Sequence, residues 1–220
     1  GAPRVLHLPR RRQCQMCLRD GLYDAGYEIL RDYGAARFLN VEAKYGGHYL
    51  AENNKFAKQT IAHNALVVDE TSHFSGDVET GNKHAPELGL FSDGGDLKIT
   101  SAKIDTAYPD VSMERTMAMI TDAAFPRPIV VDYIAAHSAR PHQYDLPFYY
   151  NGQLTETNFK IDADTITRTR LGKENGYQYL WRVGQGGAIN GLSQITRQVA
   201  YNNRTRPQKK TSDIAVGSRT

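Results

Sequence analysis

Two cysteines and a single tryptophan in 220 residues leave little room for several kinds of protein. The cysteines, Cys14 and Cys17, form one Cys-x-x-Cys pair. A zinc ribbon needs a second such pair and a thioredoxin-like site needs a βαβ setting. Neither is present in the pattern, so the pair is read as incidental. No apolar run approaches the roughly 20 residues of a membrane span, and no membrane partner is expected. Residues 1–12 lack a continuous apolar stretch, so no signal peptide is expected at the start of this sequence. Helical periodicity is sparse, and no internal repeat is found.

What is present is ordinary in bulk: 40 % hydrophobic and 23 % charged residues, the composition of a globular protein. The length suits one large β-domain or two small ones. The net charge of +3 is unevenly spread. Residues 1–20 hold five arginines and one aspartate, and residues 197–220 hold four arginines, two lysines and one aspartate. The ends therefore carry +4 and +5, and residues 21–196 carry −6. A basic nucleic-acid surface is not expected from a chain whose body is acidic.

From Gly21 to about Gln194 the chain reads as β-structure. Ala65–Asp69 is a short β-branched run, Leu97–Ile104 alternates apolar and polar residues, and Arg115–Thr121 and Ile129–Ala135 are further strands, the last expected to be buried. Asp162–Leu171 alternates as well, and Tyr177–Val183 is aromatic and β-prone. Between them lie turn signals: Ser75-Gly76-Asp77, Ser92–Asp96, Asn151-Gly152 and Asn175-Gly176, the last two favourable for hairpins. Phe125-Pro126-Arg127-Pro128 restricts φ at another turn. The expected fold is all-β, an antiparallel multi-stranded β-sandwich over residues 21–195. Residues 1–20 form an atypical basic segment, and residues 196–220 a basic tail without an apolar stripe, expected to be disordered.

The densest region for chemistry is Tyr23 to Glu70. Gly46-Gly47 implies a tight turn that presents Tyr45, His48 and Tyr49 on a loop tip, where sites concentrate. Each candidate has two readings. Tyr45 and Tyr49 are packing aromatics by default, given 13 tyrosines, and acid–base phenols otherwise. His63, at the start of a strand, is a structural histidine by default and a metal ligand if it has partners; Asp32 is one candidate partner. Arg37 is a surface ion-pair residue or a bidentate clamp on a carboxylate. Asp69 and Glu70 read as turn acids. The stretch Gln143–Tyr150, with His142 beside it, is a packing strand by default and a sugar-stacking platform otherwise.

Three stretches in order carry a resemblance: Arg31-Asp32-Tyr33-Gly34-Ala35-Ala36-Arg37-Phe38, then Tyr45-Gly46-Gly47-His48-Tyr49, then Ala57-Lys58-Gln59-Thr60-Ile61-Ala62-His63-Asn64-Ala65-Leu66-Val67-Val68-Asp69-Glu70. Together they resemble the heparinase II/III-like superfamily, and within it the oligoalginate lyases of polysaccharide lyase family 17. His142–Tyr150 and Gly176–Trp181 look like the same family. The resemblance implies an enzyme that pairs an N-terminal helical toroid with a C-terminal antiparallel sheet domain and cleaves uronate polymers such as alginate by β-elimination. It implies that Tyr49 is the catalytic tyrosine of the sheet side. Arg37, Tyr45 and, beside them, His48 would belong to the substrate-binding set, and Asp32 and His63 would be two of three ligands of a structural zinc ion. It implies a periplasmic or secreted enzyme.

The departures are as informative. Two family histidines, one from the active site and one the third zinc ligand, fall at Arg12 and Cys14, in surroundings unlike the family. This suggests that residues 1–20 are a frameshifted or chimaeric segment and that zinc binds weakly. The toroid, with its own active-site Asn, His and Tyr, has no counterpart in the sequence. The expectation is therefore the sheet half of a lyase, inactive alone; the alternative is a non-catalytic carbohydrate-binding β-sandwich using Tyr45, Tyr49 and the 144–150 stretch.

Overall fold

The computed structural model describes residues 21–24, 26–32, 50–51, 53–162, 169–186, 192–199 and 210–217, the last two segments as backbone only. Strands dominate, and every strand pair is antiparallel. The chain opens with β1 (Leu22–Asp24) and β2 (Tyr27–Leu30), a hairpin. A π turn at Asn53–Ala57 and a 3-10 turn at Thr60–Ala62 lead to β3 (Val67–Val68). A further 3-10 turn, His73–Gly76, precedes the short helix α1 (Val78–Lys83). Asp77 caps that helix, accepting the Glu79 N–H at 3.0 Å and the Thr80 hydroxyl at 2.7 Å.

The main sheet follows: β4 (Glu87–Gly94), β5 (Leu97–Tyr108), β6 (Val111–Ile120) and β7 (Ile129–His137), paired in that order. Its turns follow local chemistry. Gly95 takes φ 49° between β4 and β5, and Asp110 takes φ 61° after Pro109 between β5 and β6. Gly89 sits where the β4–β5 register slips between Leu88 and Leu90, and a Cβ there would lie 2.6 Å from the Ser101 hydroxyl. A larger residue at that bulge would have to displace the Ser101 hydroxyl. β6 and β7 then pair without a break, from Ser112 opposite His137 to Ile120 opposite Ile129.

The remaining strands are short. β8 (Tyr144–Asp145) pairs with β3. β9 (Gln153–Thr157) pairs with β14 (Leu192–Val199), which pairs with β15 (Lys210–Gly217). β10 (Ile161–Asp162) pairs with β13 (Gln185–Gly186), and β11 (Thr169–Arg170) with β12 (Trp181–Arg182).

The core lies between one end of the main sheet and the layer formed by residues 60–77. Ile104, Ala107, Tyr108, Val111 and Met113 meet Val68, with Leu66, Phe74 and Ala136 packed around them. A second cluster joins Ile61, Val67 and Tyr177. One charged group enters this interior. Arg115 is 4 % exposed. Its Nε and Nη2 donate to the two carboxylate oxygens of Asp132 at 2.8 and 2.7 Å, and its Nη1 donates to the Asn64 carbonyl at 2.8 Å. The fork geometry and the third acceptor compensate the desolvation of the guanidinium.

Four expectations change. Ile129–Ala135 is a strand, but β7 is an edge: Ile129, Val130, Val131 and Tyr133 are exposed. Tyr177–Tyr179 is a 3-10 turn rather than a strand, because Asn175 (φ 53°) and Gly176 (φ 95°) turn the chain between β11 and β12. Asn151-Gly152 makes no hairpin; Asn151 N–H donates to Ile29 of β2 at 3.2 Å, and the chain bends at Gly152 into β9. The basic tail, expected to be disordered, carries β14 and β15 in register from Leu192–Gly217 to Val199–Lys210.

Asp132→Ala should cost about 3–5 kcal/mol, because it strands the Arg115 charge in the interior. Urea denaturation at neutral pH measures it; a loss within about 0.5 kcal/mol, the scatter of ordinary surface changes, contradicts the role given to the pair.

Candidate functional site

The 3-10 turn at Thr60–Ala62 ends on His63, whose N–H donates to the Thr60 carbonyl at 3.0 Å. This turn puts the His63 ring inside the protein, 3 % exposed. Asp32, which follows β2 and lies 31 residues earlier, meets it: His63 Nδ1 and Asp32 Oδ1 are 2.6 Å apart. The two residues proposed as metal ligands are thus brought into direct contact. Their donor types, an imidazole nitrogen and a carboxylate oxygen, suit zinc. Among the described residues no group of three His, Cys, Asp or Glu side chains could hold a metal. Cys14, the position implied for the third ligand, lies outside the described residues. So do Arg37, Tyr45, His48 and Tyr49.

Next to His63, Asn64 is 1 % exposed and hydrogen-bonded at three points. Its Nδ2 donates to the Arg31 carbonyl at 3.1 Å, its Oδ1 accepts the Tyr149 N–H at 2.7 Å, and its carbonyl accepts Arg115. Tyr149 is held a second time, its hydroxyl donating to the Ile61 carbonyl at 2.7 Å. The sequence assigns no role to Asn64, which ends the His63-Asn64 part of the resemblance stretch, or to Arg115, which opens a strand. Their partners lie 85 and 51 positions away, and no local pattern announces such contacts.

A small pocket of about 50 Å³ adjoins His63, lined by Lys58, Thr60, Ser72, His73, Phe74 and Val78 among others. Its polar groups are tied together. Thr60 N–H donates to Ser72 Oγ at 3.1 Å, Ser72 Oγ donates to Gln59 Oε1 at 2.6 Å, and His73 N–H donates to Thr60 Oγ1 at 2.9 Å. The His73 ring lies edge-on to Tyr108 at 5.0 Å, with Nε2 3.1 Å from the Leu66 carbonyl. Burial pushes His73 down to about 4, outweighing the hydrogen bond to Leu66. Burial likewise raises Tyr108, whose hydroxyl donates to the Thr71 carbonyl at 3.0 Å.

Asp69 and Glu70 form the turn after β3, both at positive φ (49° and 55°), with Thr71 N–H donating to the Val68 carbonyl at 3.0 Å. Asp69 Oδ1 accepts the Gln143 N–H at 2.9 Å, and Asp69 Oδ2 lies 2.6 Å from His142 Nδ1. His142 holds Asp69 below the usual carboxylate range. His142 Nε2 is also 3.0 Å from Ser138 Oγ. That order is the one found in hydrolase triads, but the Asp69 side chain is 52 % exposed. Backbone N–H groups of Gln143 and Arg140 occupy Asp69 and Ser138. This is a clasp between two loops. The aromatic stretch beside it packs: Tyr149 is pinned to Ile61 and Tyr150 bridges Leu30. Tyr144 is the exposed member, at 41 %.

An antiparallel β-domain with an Asp–His pair between β2 and the 60–64 turn is the class of protein these observations define. The sequence model of the family described as "Heparinase II/III-like, C-terminal" matches residues 12–218, and the chain belongs to that family. The match extends into both basic ends, from residue 12 and to residue 218, which composition alone sets apart. Among curated relatives, an exo-oligoalginate lyase of Saccharophagus degradans is 52 % identical over 160 residues, which are 73 % of this chain and 22 % of that protein. An alginate lyase of Stenotrophomonas maltophilia is 48 % identical over 159 residues, 72 % of this chain and 21 % of that protein. The chain thus spans about a fifth of the length of the relatives it matches.

The buried His73 gives a pH prediction. Its folded pKa lies below the unfolded value of about 6.5, so the unfolded chain binds the proton first. Stability should be full above pH 6.5 and fall by roughly 3 kcal/mol as pH drops towards 4. His73→Gln should flatten that fall. Urea midpoints at pH 7 and pH 4.5 decide it; equal losses in the two proteins contradict the assignment.

Proposed function

We propose that this chain is the sheet-domain part of a polysaccharide lyase that cleaves alginate or oligoalginate by β-elimination. The observation that carries the reading is the Asp32–His63 contact at 2.6 Å. It joins two residues that the resemblance pairs and that sequence spacing leaves unconnected. The identity of about half to enzymes named as alginate lyases supports it.

In this reaction the carboxylate at C5 of a uronate is neutralised by hydrogen-bond donors, which makes the C5 proton acid enough to remove. The C5–H bond breaks, a C4–C5 double bond forms, and the C4–O bond breaks as its oxygen is protonated. Tyr49 is proposed as the sheet-side acid or base, with the second group supplied by the helical toroid. Arg37 grips the substrate carboxylate in fork geometry, and Tyr45 and His48 line the same site. Separated from the toroid, this chain has one wall of the site and is proposed to be inactive. The enzyme is proposed to be periplasmic or secreted, where it meets extracellular polysaccharide.

Asp32 and His63 would hold a zinc ion together with a third donor. When bound, it would supply a fixed cross-link between β2 and the 60–64 turn, and no proton or electron passes through it. With Cys14 at the third position, zinc is proposed to bind weakly. Elemental analysis of the purified chain should find well under one zinc per molecule, and one zinc per chain would refute the weak site.

Complementation tests the catalytic role. Combined with a matching toroid, the domain should produce unsaturated uronate, and Tyr49→Phe should lower kcat by at least about 100-fold, the lower range for acid–base groups. A fully active Tyr49→Phe variant would remove Tyr49 from the chemistry.

A further inference from the structure

β2 and residues 149–151 run antiparallel as a ladder. Asn151 N–H donates to the Ile29 carbonyl at 3.2 Å, Leu30 bridges Tyr150, and Arg31 N–H donates to the Tyr149 carbonyl at 2.8 Å. In a regular ladder the Tyr149 N–H would return to the Arg31 carbonyl. Here it goes to Asn64 Oδ1 at 2.7 Å, and Asn64 Nδ2 donates to the Arg31 carbonyl at 3.1 Å. A side-chain amide has replaced half of a rung. It matches the donor and acceptor that a direct bond would have joined, while the other half of the rung, Arg31 N–H to the Tyr149 carbonyl, stays direct at 2.8 Å. The residue after Arg31 is Asp32, and the residue before Asn64 is His63. The amide therefore fixes both members of the pair that meets at 2.6 Å.

We propose that Asn64 is a positioning residue: its amide, wedged into the rung between Arg31 and Tyr149, aims Asp32 at His63, the two residues proposed to hold the zinc ion. The functional part of this inference rests on the lyase reading; the geometric part does not. Asn64 is rigid enough for the task. Arg115 grips its carbonyl, and Asp132 grips Arg115. Asn64→Asp separates the two arms of the amide. It keeps Oδ1 for Tyr149 but turns a carboxylate oxygen towards the Arg31 carbonyl, where a donor is required.

The test uses the full-length protein, with Met113→Ala as a comparison of lowered stability, since Met113 is buried in the core and away from the rung. Asn64→Asp is expected to lower kcat on oligoalginate by 10–100-fold, the range for residues that orient the groups in direct contact with the site. KM is expected to stay within about 2-fold. Met113→Ala should leave kcat unchanged at a temperature where both variants are folded. A crystal structure of Asn64→Asp gives the second readout, independent of activity. The Asp32–His63 separation should open beyond hydrogen-bond reach, about 3.5 Å. If it stays at 2.6 Å, or if Asn64→Asp keeps wild-type kcat, the wedge is refuted. If the wild type eliminates no uronate polymer while the separation opens in the variant, the lyase reading falls and the positioning role stands.

Discussion

The structure depends on one buried asparagine. Asn64 stands where three parts of the chain meet: the main sheet through Arg115, the β2 strand through Arg31, and the 144–151 segment through Tyr149. A group with 1 % exposure has no water to turn to, so each polar atom must find a protein partner or cost the fold one to several kcal/mol. That requirement couples the layers. Arg115 can stay inside because Asp132 and Asn64 share its donors, and Asn64 is held by the charge it helps to satisfy. Loss of any member leaves the others buried and incompletely bonded, so the network is cooperative rather than a sum of pairs.

From this hub the functional arrangement follows by short steps. The Thr60–Ala62 turn buries His63, the amide of Asn64 bonds the residue before Asp32, and the two side chains join the end of β2 to the 60–64 turn. The neighbouring pocket is lined by His63 and by His73, which burial holds neutral.

Strands whose alternation is local were legible in the sequence. β5 and β6 fall where Leu97–Ile104 and Arg115–Thr121 alternate, and Gly95 and Asn175-Gly176 turn the chain as their chemistry demands. The Asp69–Glu70 turn was legible too. What was not legible depends on partners far away in sequence. β7 reads as a buried run, but its position at the sheet edge leaves Val131 and Tyr133 exposed. Tyr177–Tyr179 has strand composition, yet Asn175 (φ 53°) and Gly176 (φ 95°) turn the chain into a 3-10 turn, and Gly176 packs so close to Ile61 that a Cβ there would lie 2.4 Å from Ile61 Cγ2. Asp32 and His63 were joined by resemblance, since their spacing left a structural histidine as the default. Asn64 lies in a stretch that carries the resemblance, but the bonds of Asn64 and Arg115 gave no local signal, because a rung replaced by a side-chain amide has no periodicity to read.

The central claim, that this domain serves elimination on a uronate polymer, is tested most directly by the ultraviolet absorbance of the conjugated double bond that each cleavage creates. The full-length protein should raise that absorbance with alginate and leave heparin unchanged, while this chain alone, shown to be folded by its circular dichroism, should give no rise with either. A full-length protein that leaves alginate unchanged would contradict the account.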